Sequence, residues 1–208
     1  MPRPPRPSLF YLLVGLASWP ILRGLYRYRA VGQEHLPRDG GFVLAAGHVS
    51  NFDPFALGLA LWPRRFLRFM AKSELFWPPL GQIITGAGAF KVHRGERDLD
   101  AIRTAEALAR EGHVIAMFPE GTRRQKGLRK KWQPESHTGA ARIALAADVP
   151  LIPAGISGTD RLARLAPLKV AYGEAVRTDD LRDLDPNEAA RVATDRLMER
   201  IRALEASL

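Results

Sequence analysis

The chain of 208 residues contains no cysteine, which excludes disulfides, thiol nucleophiles and thiolate metal sites and agrees with a reducing compartment. Its histidines, His35, His48, His93, His113 and His137, show no metal-ligand spacing, so no metal is expected. No repeat or low-complexity tract interrupts the sequence. The G-x-S-x-G elbow of serine hydrolases is missing. "GAGAF" (Gly86 to Phe90) lacks the third glycine and the following helix of a dinucleotide-binding loop. Acidic charge is in deficit, with 22 Asp and Glu against 31 Lys and Arg and a net charge of +9. The expected partner is therefore anionic: nucleic acid, an anionic membrane face or a phosphorylated small molecule. Arginine supplies most of the positive charge, and its planar fork suits phosphate and carboxylate.

Pro7 to Leu22, "PSLFYLLVGLASWPIL", carries no charged side chain, with Arg3 and Arg6 before it and Arg23, Arg27 and Arg29 after it. As a helix it would be roughly 24 Å long, short of the ~30 Å hydrocarbon core, and Pro20 shortens it further. Phe10, Tyr11, Trp19 and Tyr26 beside these arginines give the composition of a segment lying in the headgroup region or dipping in and returning. We read it as peripheral or monotopic, at the cytoplasmic face of the membrane. A signal peptide with a weak cleavage site at Gly15-Leu16-Ala17 and a plain buried helix are the other readings of this run.

From about residue 31 one globular body is expected, so the chain divides into a membrane-association segment, 1–30, and a domain, 31–208. A 208-residue chain is long enough for one real core. Strands are expected at Gly41–Ala46, Phe66–Ala71, Ala89–Arg94, His113–Phe118, Val149–Ile156 and Leu168–Gly173. Helices are expected at Leu99–Glu111, stopped by Gly112, at Gly139–Ala147, and after Asp185. That last helix has Asp185 as N-cap, Pro186 at its first position, Glu188 completing a box-like start, and a stripe of Ala193, Leu197, Ile201, Leu204 and Leu208. Alternating strands and helices predict an α/β fold, a central mostly parallel or mixed sheet covered by helices, with the short apolar helical segment at its N-terminus. Ligands of such sheets gather at strand ends.

"GHVSNFDP" (Gly47 to Pro54) sets His48 five residues before Asp53. On a helix the two would lie about 140° apart, and on a strand they would point to opposite faces. They meet only if the chain bends between them. A strand ending at Gly47 and a helix opening at Asp53-Pro54, with the aspartate as N-cap, makes Val49 to Phe52 that bend. Asp53 would then fix the His48 tautomer and support it as a general base. Read singly, Asp53 is also a plain cap, His48 a satisfied buried histidine and Ser50 a turn former.

"FPEGTRR" (Phe118 to Arg124) follows a predicted strand and holds the parts of a phosphate cradle. Gly121 frees backbone N–H groups, Thr122 offers a hydroxyl, and Arg123 and Arg124 bring charge. Glu120 would orient an arginine or accept from a substrate hydroxyl; a solvated turn is the plainer alternative. Arg94 closes "GAFKVHR" at what should be the same sheet edge. "VPLIPAGISG" (Val149 to Gly158) reads either as an edge strand followed by a turn or as an apolar wall for a lipid-like group. The basic run "RRQKGLRKK" (Arg123 to Lys131) admits a nucleic-acid module, but a solvated loop near an anionic lipid or donor explains it more simply, and no nucleic acid is expected.

The order H-x4-D, G-x-F-x-x-x-R, F-P-E-G-T-R, V-P-L-I-P resembles the glycerolipid acyltransferase family, most closely its bacterial 1-acyl-sn-glycerol-3-phosphate acyltransferases, over about Val31 to Gly173. The resemblance implies that His48 and Asp53 form the catalytic pair. It also implies that Arg94, with Glu120, Gly121 and Arg123, holds the acceptor phosphate, and Lys72 in "MAKSEL" matches a position that is usually basic. Two departures concern turn rigidity and acceptor preference: Gly47 where asparagine is common before the histidine, and His93 where an acidic residue is common. The implied reaction moves an acyl group from an acyl thioester, acyl-CoA or acyl-acyl carrier protein, to a lysophosphatidate-like acceptor at an anionic membrane surface, with no cofactor beyond that cosubstrate. With no cysteine and no serine elbow, direct transfer is the economical route.

Overall fold

A computed structural model describes residues 5–92, 99–120 and 137–208. In chain order the elements are α1 (Leu9–Gly24), β1 (Arg29–Val31), β2 (Phe42–Ala46), α2 (Asp53–Leu59), β3 (Leu67–Lys72), α3 (Leu80–Gly86), β4 (Ala89–Val92), α4 (Leu99–Arg110), β5 (Val114–Met117), α5 (Gly139–Ala147), β6 (Leu151–Ser157), β7 (Lys169–Tyr172) and α6 (Pro186–Ala206). Seven strands form one sheet in the order β1-β7-β6-β2-β5-β3-β4. All neighbours are parallel except β6 and β7, which gives the expected α/β fold with a mostly parallel, mixed sheet.

The strands read as apolar runs because both faces of the sheet are covered. Along β2, Val43 and Ala45 face the core shared with α4, α5 and α6, while Phe42, Leu44 and Ala46 face the core shared with α2. The α6 stripe behaves as its spacing requires: Asp185 accepts from the N–H groups of Asn187 and Glu188, and Ala193, Leu197 and Ile201 are wholly buried. Burial of each large aliphatic side chain is worth about 1.5–3 kcal/mol. Gly155 lets α6 lie directly on β6, since a Cβ there would come 2.8 Å from the Glu205 nitrogen.

Two expectations change. The segment beginning at Val149 is no edge strand: β6 starts at Leu151 and sits between β2 and β7. Pro153 is tolerated there because it lies past the last β7 pairing, Ala154 with Tyr172, and its carbonyl still accepts from Gly173 N–H. Nor does β6 supply an apolar wall to a ligand, because Leu151 to Ile156 are buried between the two cores. The elements the patterns did not announce are β1 and α3, which are short.

At the amino edge of the sheet, buried Arg65 donates to the carbonyls of Pro37, Arg38, Gly40 and Gly112, pinning the approach to β2. Beside it, half-buried His113 has Nδ1 without a hydrogen-bond partner among the described residues. Burial holds its pKa below the ordinary 6.5; Arg68 and Arg65 push it the same way, and Glu111 opposes them. Because the unfolded chain takes up this proton first as pH falls, the stability that neutral His113 contributes is complete above about 6.5 and is lost below it. Wild-type Tm should therefore fall more steeply than that of His113→Gln between about pH 7 and about pH 5. Parallel slopes in a thermal melt series would refute this.

Candidate active site

Because β2, β3, β4, β5 and β6 run in one direction, their carboxyl ends share one edge, where the chain leaves β2 for the turn holding His48. The predicted bend is there. Asp53 N–H donates to the Ser50 carbonyl at 3.2 Å, and the Ser50 hydroxyl accepts from Phe52 N–H at 3.3 Å. That folds residues 49–52 back and brings His48 Nδ1 to 2.8 Å from Asp53 Oδ2. Ser50 is the turn former rather than a nucleophile.

Asp53 is not the N-cap its sequence context predicts. Phe52 occupies the cap position without a side-chain bond, and the aspartate is the first helical residue, with Pro54 next. Its carboxylate turns back into the loop instead of capping the helix. Oδ2 accepts from the N–H groups of Val49 and Ser50, both at 2.8 Å, as well as from His48. Oδ1 accepts from the Thr159 hydroxyl at 2.6 Å, and Asp53 is fully buried. Since Oδ2 only accepts here, Nδ1 carries the ring proton and Nε2 presents its lone pair. The ring lies on Phe118, centroids 4.3 Å apart and 25° from parallel. Its side chain is 18% exposed. A fixed, outward-facing base with a carboxylate behind it can take a proton from a hydroxyl and give it to a leaving group.

The helix that carries Asp53 is anchored at its other end by three tyrosines. Tyr28, Tyr172 and Tyr11 donate to the carbonyls of Ala56, Leu57 and Gly58 at 2.9, 2.8 and 3.3 Å. These carbonyls belong to the last turn of a seven-residue helix, and that of Gly58 also accepts from the N–H groups of Leu61 and Trp62. Burial pushes the pKa of all three phenols up, that of Tyr11 to about 12, so they remain donors.

Between α1 and α2 lies an apolar cavity of about 310 Å³. Tyr11, Val14 and Leu22 of α1 line it with Phe55 and Leu59 of α2, and so do Thr159 and the two chain neighbours of Asp53, Phe52 and Pro54. α1 is held over it by Tyr11, by the Trp62 indole N–H donated to the Leu12 carbonyl at 3.3 Å, and by Trp19 stacked on Trp62. Only Gly15 of α1 is buried, so it is not a plain core helix. Leu9, Leu13, Leu16, Ile21 and Leu25 are exposed by half or more. No helix among the described residues is long and apolar enough to cross a membrane.

Of the other residues singled out in the sequence, Lys72 ends β3 at the same sheet edge and is exposed. Glu120 is buried just beyond β5, two residues after Phe118. Arg94, Gly121, Thr122 and Arg123 lie outside the described residues, as does the rest of the basic run to Lys131. Thr159 and Phe118 were not foreseen as site residues. The only local sign of Thr159 is its place after a glycine at the end of a predicted strand.

The acyltransferase family model matches residues 27–157, well over half of the chain. A 1-acyl-sn-glycerol-3-phosphate acyltransferase of Bacillus subtilis is 32% identical over 186 residues, covering 86% of this chain and 89% of its own. A protein of the same description from Streptococcus pneumoniae is 28% identical over 75% of this chain and 58% of its own. In fold, the crystal structure of the 1-acyl-sn-glycerophosphate acyltransferase of Thermotoga maritima is similar with a TM-score of 0.61 and 23% identity, over 95% of this chain and 88% of that one. The matched region contains the whole β2–α2 turn and the strand that delivers Thr159, and with it this chain belongs to the acyltransferase family.

Proposed function

We propose that the protein acylates the free sn-2 hydroxyl of 1-acyl-glycerol-3-phosphate, taking the acyl group from acyl-CoA or acyl-acyl carrier protein and giving phosphatidic acid. The observation that carries this reading is the His48–Asp53 pair at the carboxyl edge of the sheet, in a chain similar to enzymes described by that activity. His48 Nε2 removes the hydroxyl proton as the oxygen attacks the thioester carbonyl. Asp53 balances the charge on the ring while it holds that proton. The tetrahedral intermediate then expels the thiolate, which receives the proton from His48. Arg94 with Glu120, Gly121, Thr122 and Arg123 is assigned to the acceptor phosphate, and Lys72 to the charged end of a substrate. The apolar cavity beside Thr159 offers room for a hydrocarbon chain. A further lyso-lipid acceptor is the alternative within the same chemistry.

The test is thiol release from an acyl thioester across a panel of lyso-acceptors with and without the headgroup phosphate. Activity confined to phosphate-bearing acceptors, and a raised acceptor KM in Arg94→Ala, support the reading. Equal rates with phosphate-free acceptors would remove the phosphate assignment, and no release with any acceptor would remove the reaction.

The exposed leucines of α1, with Arg6, Arg23, Arg27 and Arg29 exposed around them, fit peripheral association with the anionic cytoplasmic face of the membrane. Leu13→Glu with Leu16→Glu should weaken sedimentation with anionic vesicles by at least about tenfold. Unchanged co-sedimentation would assign membrane contact elsewhere.

A further inference from the structure

The two oxygens of Asp53 carry unequal loads. Oδ2 takes three N–H donors, two of them backbone groups of its own turn, while Oδ1 takes a single one, the Thr159 hydroxyl at 2.6 Å. Donors gathered at one oxygen leave a carboxylate free to rock about its Cβ–Cγ bond, a torsion with broad wells. A fourth donor at the opposite oxygen fixes the plane. A hydroxyl-to-carboxylate bond of this length is charge-assisted and among the stronger ones in proteins.

The donor comes from a distant part of the chain and is built into place. Gly158, the residue after β6, has φ +92°, and a Cβ there would stand 2.2 Å from the Pro167 carbonyl oxygen. Only glycine allows that turn, which opens the 3-10 segment Thr159–Arg164 and aims its first side chain back at the β2–α2 turn. Thr159 is 2% exposed and Asp53 fully buried, so the bond between them lies inside the protein. Thr159 also borders the apolar cavity, which places one side chain between that cavity and the His–Asp pair.

We propose that Thr159 is a positioning residue for the transfer, holding the Asp53 carboxylate in the plane that presents Oδ2 to His48. The proposal rests on the acyl-transfer reading for its kinetic consequences but not for its structural one. Thr159→Val keeps the volume and removes the hydroxyl. It should lower kcat between about tenfold and a hundredfold and leave both KM values within about twofold. Thr159→Ser restores the donor and should stay within about threefold of wild type. In a His48→Ala background, Thr159→Val should cost nothing further in kcat, because it acts through the Asp53–His48 contact. Without any substrate, the His48 Nδ1–H resonance of histidine-labelled protein should be sharp in wild type and Thr159→Ser and broadened in Thr159→Val. Should the valine chain not fold, Thr159→Ala removes the same hydroxyl with less bulk and carries the same expectations. A valine variant with wild-type kcat, a serine variant as poor as valine, or an unchanged Nδ1–H signal in Thr159→Val would overturn the assignment. An inactive wild type with the expected resonances would instead count against the transfer reaction alone.

Discussion

His48→Ala is expected to lower kcat for acyl transfer by about 10²–10⁴-fold, the range a positioned general base contributes, with Tm close to wild type. The ring is the sole group at the sheet edge that pairs a free imidazole nitrogen with a carboxylate behind it, among the described residues. Truncating it leaves Asp53 with both backbone N–H donors and the Thr159 hydroxyl, so the turn keeps its internal bonds. What goes is an 18% exposed side chain stacked on Phe118, a modest packing loss. Because the chain has no cysteine, a thiol reagent reads released donor thiol without background from the protein. Turnover within about tenfold of wild type would rule His48 out as the base.

Asp53 separates charge from scaffolding. In Asp53→Asn the amide oxygen can take the place of Oδ2 and keep the His48, Val49 and Ser50 donors, while the NH2 group donates to the Thr159 oxygen, whose hydroxyl rotates to suit. The turn survives and the negative charge is lost, so kcat should fall by about 10²-fold or more with Tm little changed. Asp53→Ala is different in kind. It takes the acceptor away from two part-buried backbone N–H groups and from the buried Thr159 hydroxyl, and a buried group so stranded costs about 1–3 kcal/mol, so stability should drop by at least about 1 kcal/mol more than in Asp53→Asn. Denaturant unfolding of the two variants side by side is the check. Equal destabilisation would mean the turn depends on the charge itself, and no destabilisation in either would mean the four bonds do not hold it.

Membership of an acyltransferase family shows through in the sequence because its marks are local. His48, Asp53 and the turn between them are five residues apart, so one bend suffices to join them, and the residues that bend it are written in the same stretch. The α6 stripe and the Asp185 cap are local in the same way. The error over Asp53 as a cap arose because capping and loop-binding use the same carboxylate. Only the competing N–H donors of Val49 and Ser50, set by the course of the backbone, decide between them.

By itself the sequence determined the alternation of strands and helices, the meeting of imidazole and carboxylate, and an apolar N-terminal helix too short to span a bilayer. Only the tertiary structure decided that β6 runs through the middle of the sheet, that three tyrosines far apart in the chain hold carbonyls of α2, and that Thr159 completes the Asp53 site from 106 positions away. Periodicity and turn chemistry act between residues a few positions apart. Strand order and buried hydrogen bonds depend on which distant segments burial forces together, and no short stretch of chain encodes that choice.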